Sequence, residues 1–98
     1  MARTPIHPGE ILADELEELR MSALALARAL HVPHNRISQI IAGKRGITAD
    51  TALRLSRFFG TTPEFWLNLQ QSYELRLAEQ ESGEEIRNTI DPLSVAAE

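Results

Sequence analysis

The chain has 98 residues, 43% of them apolar and 24% charged, which is the composition of one soluble domain with a single modest core. It contains no cysteine, so disulfides, thiolate zinc sites and cysteine nucleophiles are excluded together. The net charge of −4 conceals a split: residues 1–27 carry −3, residues 28–57 carry +5 and residues 58–98 carry −6.

A basic middle between acidic ends fits one surface for a polyanion and another for a basic partner, but by charge alone it fits simply solvated faces better. No run approaches the ~20 apolar residues of a membrane span. Met1-Ala2-Arg3-Thr4-Pro5 does not read as the opening of a signal peptide, so the expected compartment is the cytoplasm.

Helical periodicity runs through most of the chain. A first helix is predicted over about 8–20, opening at Pro8, with Leu12, Leu16 and Leu19 on its core stripe. A second, over about 23–30, presents Ala23, Leu26, Ala27 and Leu30 inward. His31-Val32-Pro33 forms a turn, because Pro33 disfavours helical geometry at Val32 and suits the start of the next helix. That third helix runs over about 33–42 and stops at Gly43.

Thr48 caps a fourth helix that ends at Gly60 and has Ala52, Leu55 and Phe59 on its core face. Its Asp50, Arg54 and Arg57 sit at spacings that allow ion pairing. Thr62 as cap, Pro63 in the first turn and the early acid Glu64 start a fifth helix, predicted to run to about residue 80 and to pack Trp66, Leu69, Tyr73 and Leu77. Beyond Ser82-Gly83 the signal fades. Ile86, Ile90 and Leu93 fit either a strand or a helical turn there, with Pro92 against a long helix. The expected organisation is an arm at 1–7, a domain at 8–82 and a tail at 83–98.

Two short helices joined by a three-residue turn, at about 23–42, form a helix-turn-helix inside an all-α, five-helix domain. At 100° per residue, Ile37, Ile40 and Ile41 of the third helix face the core. Asn35, Ser38 and Gln39 then point away, with His34 and Arg36 on the flanks. Arg pairs with guanine, and Asn or Gln with adenine, across the major groove. Lys44 and Arg45 follow in a loop, where cations grip phosphates without reading sequence. The candidate DNA-binding set is therefore His34, Asn35, Arg36, Ser38, Gln39, Lys44 and Arg45. One such unit makes few base contacts. A homodimer is therefore expected, with recognition helices about 34 Å apart, or a multiple of that, on an inverted-repeat operator of double-stranded DNA.

A metal-dependent enzyme is the main rival. His7 and Glu10 lie one turn apart and Asp14 follows, but a helical metal site needs matching sets on facing helices. The chain supplies no second set, so His7 and Glu10 read as a helix start, and no catalytic residue, cofactor or metal is expected.

Three stretches carry a resemblance: His7-Pro8-Gly9-Glu10-Ile11-Leu12, Gly43-Lys44-Arg45-Gly46-Ile47-Thr48, and the run Phe59-Gly60-Thr61-Thr62-Pro63-Glu64-Phe65-Trp66-Leu67-Asn68-Leu69-Gln70. In this order they resemble HigA-type antitoxins of the Xre/Cro-like helix-turn-helix group, over about residues 5–80. The resemblance implies a lambda-repressor-like fold and a bacterial homodimer without catalytic activity. It also implies repression of the protein's own operon and neutralisation of a basic HigB-type toxin, a RelE-like ribonuclease that cleaves messenger RNA.

Two positions depart from the pattern. His31 stands where such turns often carry glycine, though His also enters left-handed geometry with some frequency. Ala23 stands where many relatives carry a phosphate-binding Gln, so operator affinity leans more on Arg36, Lys44 and Arg45. A basic toxin would be steered to acidic surface, either Glu64, Glu74, Glu79, Glu81, Glu84, Glu85 and Asp91, or Glu15, Glu17 and Glu18. A stand-alone Xre-family regulator without a toxin partner is the alternative.

Overall fold

The structure, a computed structural model, describes residues 4–94. In chain order it contains α1 (Pro8–Leu19), α2 (Ala23–Leu30), α3 (His34–Ile41), α4 (Ala49–Phe59) and α5 (Pro63–Thr89), with no strand among the described residues. This is the all-α, five-helix architecture expected from the sequence. The first three residues of the expected arm and the last four of the expected tail lie outside the described residues. No helix among the described residues is long and apolar enough to cross a membrane.

The start of α1 shows what its sequence motif does physically. The His7 Nδ1 accepts the Gly9 N–H at 2.9 Å, and the Glu10 carboxylate accepts the His7 N–H at 3.3 Å. This is a reciprocal capping box, built on histidine rather than Ser or Thr, with Pro8 in the first turn. Gly9 is required by close approach: a Cβ there would stand 1.9 Å from the Ile40 carbonyl oxygen of α3. The His7 ring also meets Tyr73 of α5 edge-on, centroids 4.8 Å apart. Burial lowers the His7 pKa below its ordinary value, against the opposing pull of Glu10, which suits a neutral imidazole whose Nδ1 acts as an acceptor.

Hydroxyl caps open three further helices. Ser22, Thr48 and Thr62 accept the N–H groups of Ala25, Thr51 and Phe65, each satisfying a donor the helix itself leaves open. At the other end of α2, His31 takes the left-handed conformation expected of it, at φ 59°, and the Val32 N–H closes onto the Ala27 carbonyl at 3.0 Å. Leu12, Leu16, Leu26, Leu30, Ile37, Ile40, Ile47, Leu55 and Trp66 then form one core, completed by Ala27 and Ala52. Packing of α3 against both α1 and α2, and of α4 against α5, holds the helix-turn-helix on that core.

Four sequence expectations need correction. Leu19 shares its angular position with Leu12 and Leu16 but is 53% exposed, because the helix ends there and the chain turns at Arg20. Met21, brought in by that turn, packs against the core. The third helix starts one residue later than expected, with Pro33 as its N-cap and Ala42 as its C-cap. Tyr73 and Leu77 are half-buried rather than fully packed. Finally, α5 does not stop near residue 80 but continues through Ser82 and Gly83 to Thr89, so residues 83–89 of the expected tail are helical. Pro92 follows three residues later. Ile90 is the extended C-cap, and residues 91–94 form neither helix nor strand.

Candidate nucleic-acid interface

The third helix divides its residues as its periodicity requires. Ile37 and Ile40 are fully buried, and Ile41 is half-buried against the same core. On the outer side, His34 and Asn35 are exposed, while Arg36, Ser38 and Gln39 are half-buried. The Ser38 hydroxyl lies 3.4 Å from the Asn35 carbonyl, so it is turned back along its own helix. These five residues share the outer side of one helix and are followed at once by the exposed Lys44 and Arg45. The structure therefore places every residue of the candidate set on α3 or in the loop directly after it.

The loop that carries the two cations is clamped at both ends. Gly43, at φ 76°, ends α3, and its N–H donates to the Ile40 carbonyl at 3.0 Å. The Lys44 N–H donates to the Gln39 carbonyl at 2.8 Å. On the far side, the Ile47 N–H donates to Gln70 Oε1 of α5 at 2.8 Å, and Gln70 Nε2 donates to Glu74 at 2.8 Å. Gln70 is only 9% exposed, so its amide replaces the water this loop N–H would otherwise use.

Arg36 has a fixed surrounding as well. Its Nη1 donates to Asp50 Oδ2, which also accepts Arg54 Nε at 2.9 Å. Arg54 Nη1 in turn donates to the Leu30 carbonyl at the end of α2, at 2.8 Å. The Arg54 hydrogen bond, then that of Arg36, holds the Asp50 carboxyl below the usual carboxylate range. Of the expected α4 ion pairs, Asp50–Arg54 forms.

Sequence reasoning missed Gln70 and the partner of Arg36. Gln70 lies one turn from both Trp66 and Tyr73, so a polar residue interrupting the core stripe was the available signal. Asp50 and Arg36 are 14 residues apart and meet only because α3 and α4 fold together. Nothing local announces that pair.

Comparison with known proteins identifies the fold that carries this helix pair. The helix-turn-helix family profile matches residues 12–66. A HigA-family addiction module antidote protein from Coxiella burnetii superposes with a TM-score of 0.91 at 56% identity, covering 93% of this chain and 100% of its own. The Pseudomonas aeruginosa antitoxin HigA, solved with the higBA promoter, gives 0.88 at 50% identity, covering 91% and 98%. Antitoxin HigA-1 of Vibrio cholerae is 38% identical over 97 residues, spanning 98% of this chain and 90% of that protein.

Proposed function

The chain belongs to the HigA family of helix-turn-helix antitoxins, a family of non-enzymatic regulators, and on that premise we propose that it binds an inverted-repeat operator as a homodimer in the cytoplasm, represses its own operon and neutralises a basic HigB-type ribonuclease. The observation that carries the DNA reading is the outer side of α3, where His34, Asn35, Arg36, Ser38 and Gln39 stand together beside Lys44 and Arg45. Side chains of α3 would contact base edges, and the two loop cations would contact phosphates. Leu75 and Ile86 support a second copy as partner: they are 70% and 49% exposed and, 11 residues apart, share one face of α5.

Steering of a basic toxin is supported by the exposed acids of α1 and α5. The α1 side has the better apolar anchor, since Glu15 lines a groove with Ile11, Phe59, Thr61, Phe65 and Trp66, and Phe65 is 43% exposed.

The test is binding to a promoter fragment of the protein's own operon. Gln39→Ala is expected to lose about 1–3 kcal/mol on the native operator and to relax discrimination at one position. Lys44→Ala is expected to weaken binding to all sequences and flatten the salt dependence. If Gln39→Ala leaves both affinity and base preference intact, α3 is not the reading helix. A monomer in solution scattering at operator-binding concentrations, with one half-site protected, would remove the dimer.

A further inference from the structure

We propose that Asp50 is a positioning residue that sets the base specificity of Arg36: it holds the guanidinium of the recognition helix in one orientation before DNA arrives. The inference rests on the reading of α3 given above. Its basis is an anchored chain of contacts. The last carbonyl of α2, on Leu30, fixes Arg54 through a 2.8 Å hydrogen bond, with a longer contact of 3.5 Å to the His31 carbonyl. Arg54 fixes Asp50 at 2.9 Å, and the same carboxylate oxygen, Oδ2, receives Arg36 Nη1. The position of the carboxylate is thus set by Arg54, which is itself fixed on the end of α2 independently of Arg36. A carboxylate held in this way can orient a guanidinium, whereas one on a free side chain would merely follow it.

The donor inventory allows holding and reading at once. A guanidinium has five N–H donors in a rigid fork. One of them, on Nη1, is engaged with Asp50. A bidentate pair with the O6 and N7 of guanine needs two donors, so the fork has enough for both tasks. Arg36 is also less exposed than the cations of the loop, its side chain at 28% while Lys44 and Arg45 are open to solvent. The two kinds of cation therefore divide the work. Lys44 and Arg45 keep their freedom and suit any phosphate. Arg36 gives up its rotamer freedom in the unbound protein and suits one base edge.

Charge gives the proposal a sign that distinguishes it from simple structural support. The Asp50 side chain is 54% exposed, and a carboxylate beside the reading helix repels phosphate. Removing its charge should therefore favour non-specific binding, while releasing Arg36 should harm discrimination. A residue needed only for folding would lower both.

The test uses the full chain with Asp50→Asn, Arg36→Ala, Arg36→Lys and the double variant of Asp50→Asn with Arg36→Ala. Each is titrated with the native promoter fragment, a set of single-base variants of it, and random-sequence DNA at two salt concentrations. Asp50→Asn is expected to cut discrimination at one base pair about tenfold, while affinity for random DNA is unchanged or higher. Arg36→Lys, which keeps the charge but loses the fork, should reproduce that loss. In the Arg36→Ala background, Asp50→Asn should cause no further loss at that base pair.

Unchanged discrimination in Asp50→Asn would overturn the proposal, and so would a loss that persists without Arg36. A parallel fall in specific and random binding with a lowered melting temperature would assign Asp50 to folding and overturn it as well. If the unaltered chain shows no preference for its promoter over random DNA, the reading of α3 fails first and Asp50 falls with it. A preference that survives in the unaltered chain and in Asp50→Asn alike sinks the Asp50 proposal alone.

Discussion

The two halves of α5 are one continuous helix in two different environments. Over residues 63–77 the helix lies on the core: Trp66 is buried and donates its indole N–H to Thr61 at 2.8 Å, Leu67 and Leu69 pack against the cluster, and Gln70 clamps the loop after α3. Over residues 78–89 only Gly83 is buried, and what covers it is the Glu79 side chain of its own helix. Glu79 reaches across the glycine to pair with Arg87, two turns further on. The first half is held by tertiary contacts. The second is held by its backbone ladder and local charge, which sustain a helix that has already been nucleated.

The elongated outline follows from this difference. The chain extends 57 Å along its longest axis, with a radius of gyration of 17.4 Å, against ~13 Å for a compact domain of about 100 residues.

The largest expected effect breaks the anchored half at its one buried amide. Gln70→Ala should destabilise the fold by about 1–3 kcal/mol, because the Ile47 N–H loses its acceptor in a buried position. It should also loosen Lys44 and Arg45 and so weaken binding to all DNA sequences alike. Denaturant unfolding and DNA titration read the two effects separately. An unchanged unfolding midpoint would show that water replaces the amide without penalty.

A smaller effect tests the coupling of the anchored half to the start of α1 through His7 and Tyr73. The His7 pKa is lowered in the folded chain, so between the folded value and the ordinary 6.5 the unfolded chain binds more protons. The contribution to stability is therefore complete above about pH 6.5 and is lost as pH falls towards the folded value. His7→Asn, which keeps a side-chain cap but does not titrate, should flatten the stability profile below pH 6.5. If the slope in that window is the same in both proteins, His7 is not its source.

The smallest effect sharpens the contrast from the other side. Gly83→Ala would place a Cβ 2.3 Å from the Glu79 carboxylate, the movable end of a flexible side chain. The Glu79–Arg87 pair would shift, and surface pairs of this kind contribute little. Alanine should raise local helix stability by up to about 1 kcal/mol. Amide exchange should slow over residues 78–89 while the protection of residues 63–77 stays as it was. Slower exchange in both would mean that the halves are coupled more tightly than their contacts indicate.

Much of the fold was legible because its signals are local. Thr48 and Thr62 cap the helices they were expected to cap, His31 enters the left-handed region, and Ile37 and Ile40 turn inward from α3. Each depends on one residue's chemistry or on spacing along one helix, both of which are written in sequence. The grouping of His34, Asn35, Arg36, Ser38 and Gln39 on the outer side of α3 followed from the same spacing. Leu19 shows where that reasoning stops. Periodicity gives the direction of a side chain but not whether another element lies there, and at the end of α1 none covers it.

Tertiary structure decided the rest, wherever the deciding partner was distant in sequence. The need for glycine at position 9 comes from the carbonyl of Ile40, and the partner of the Gln70 carbonyl oxygen is the Ile47 N–H. Arg36 meets Asp50 through the packing of α3 beside α4. The reach of α5 past Gly83 runs against the local signal for a related reason: one glycine lowers helix propensity by only about 1 kcal/mol, which a helix already anchored at Trp66 can absorb. Local chemistry set where helices begin and which faces are apolar; contacts across the fold set which polar residues are held, and how firmly.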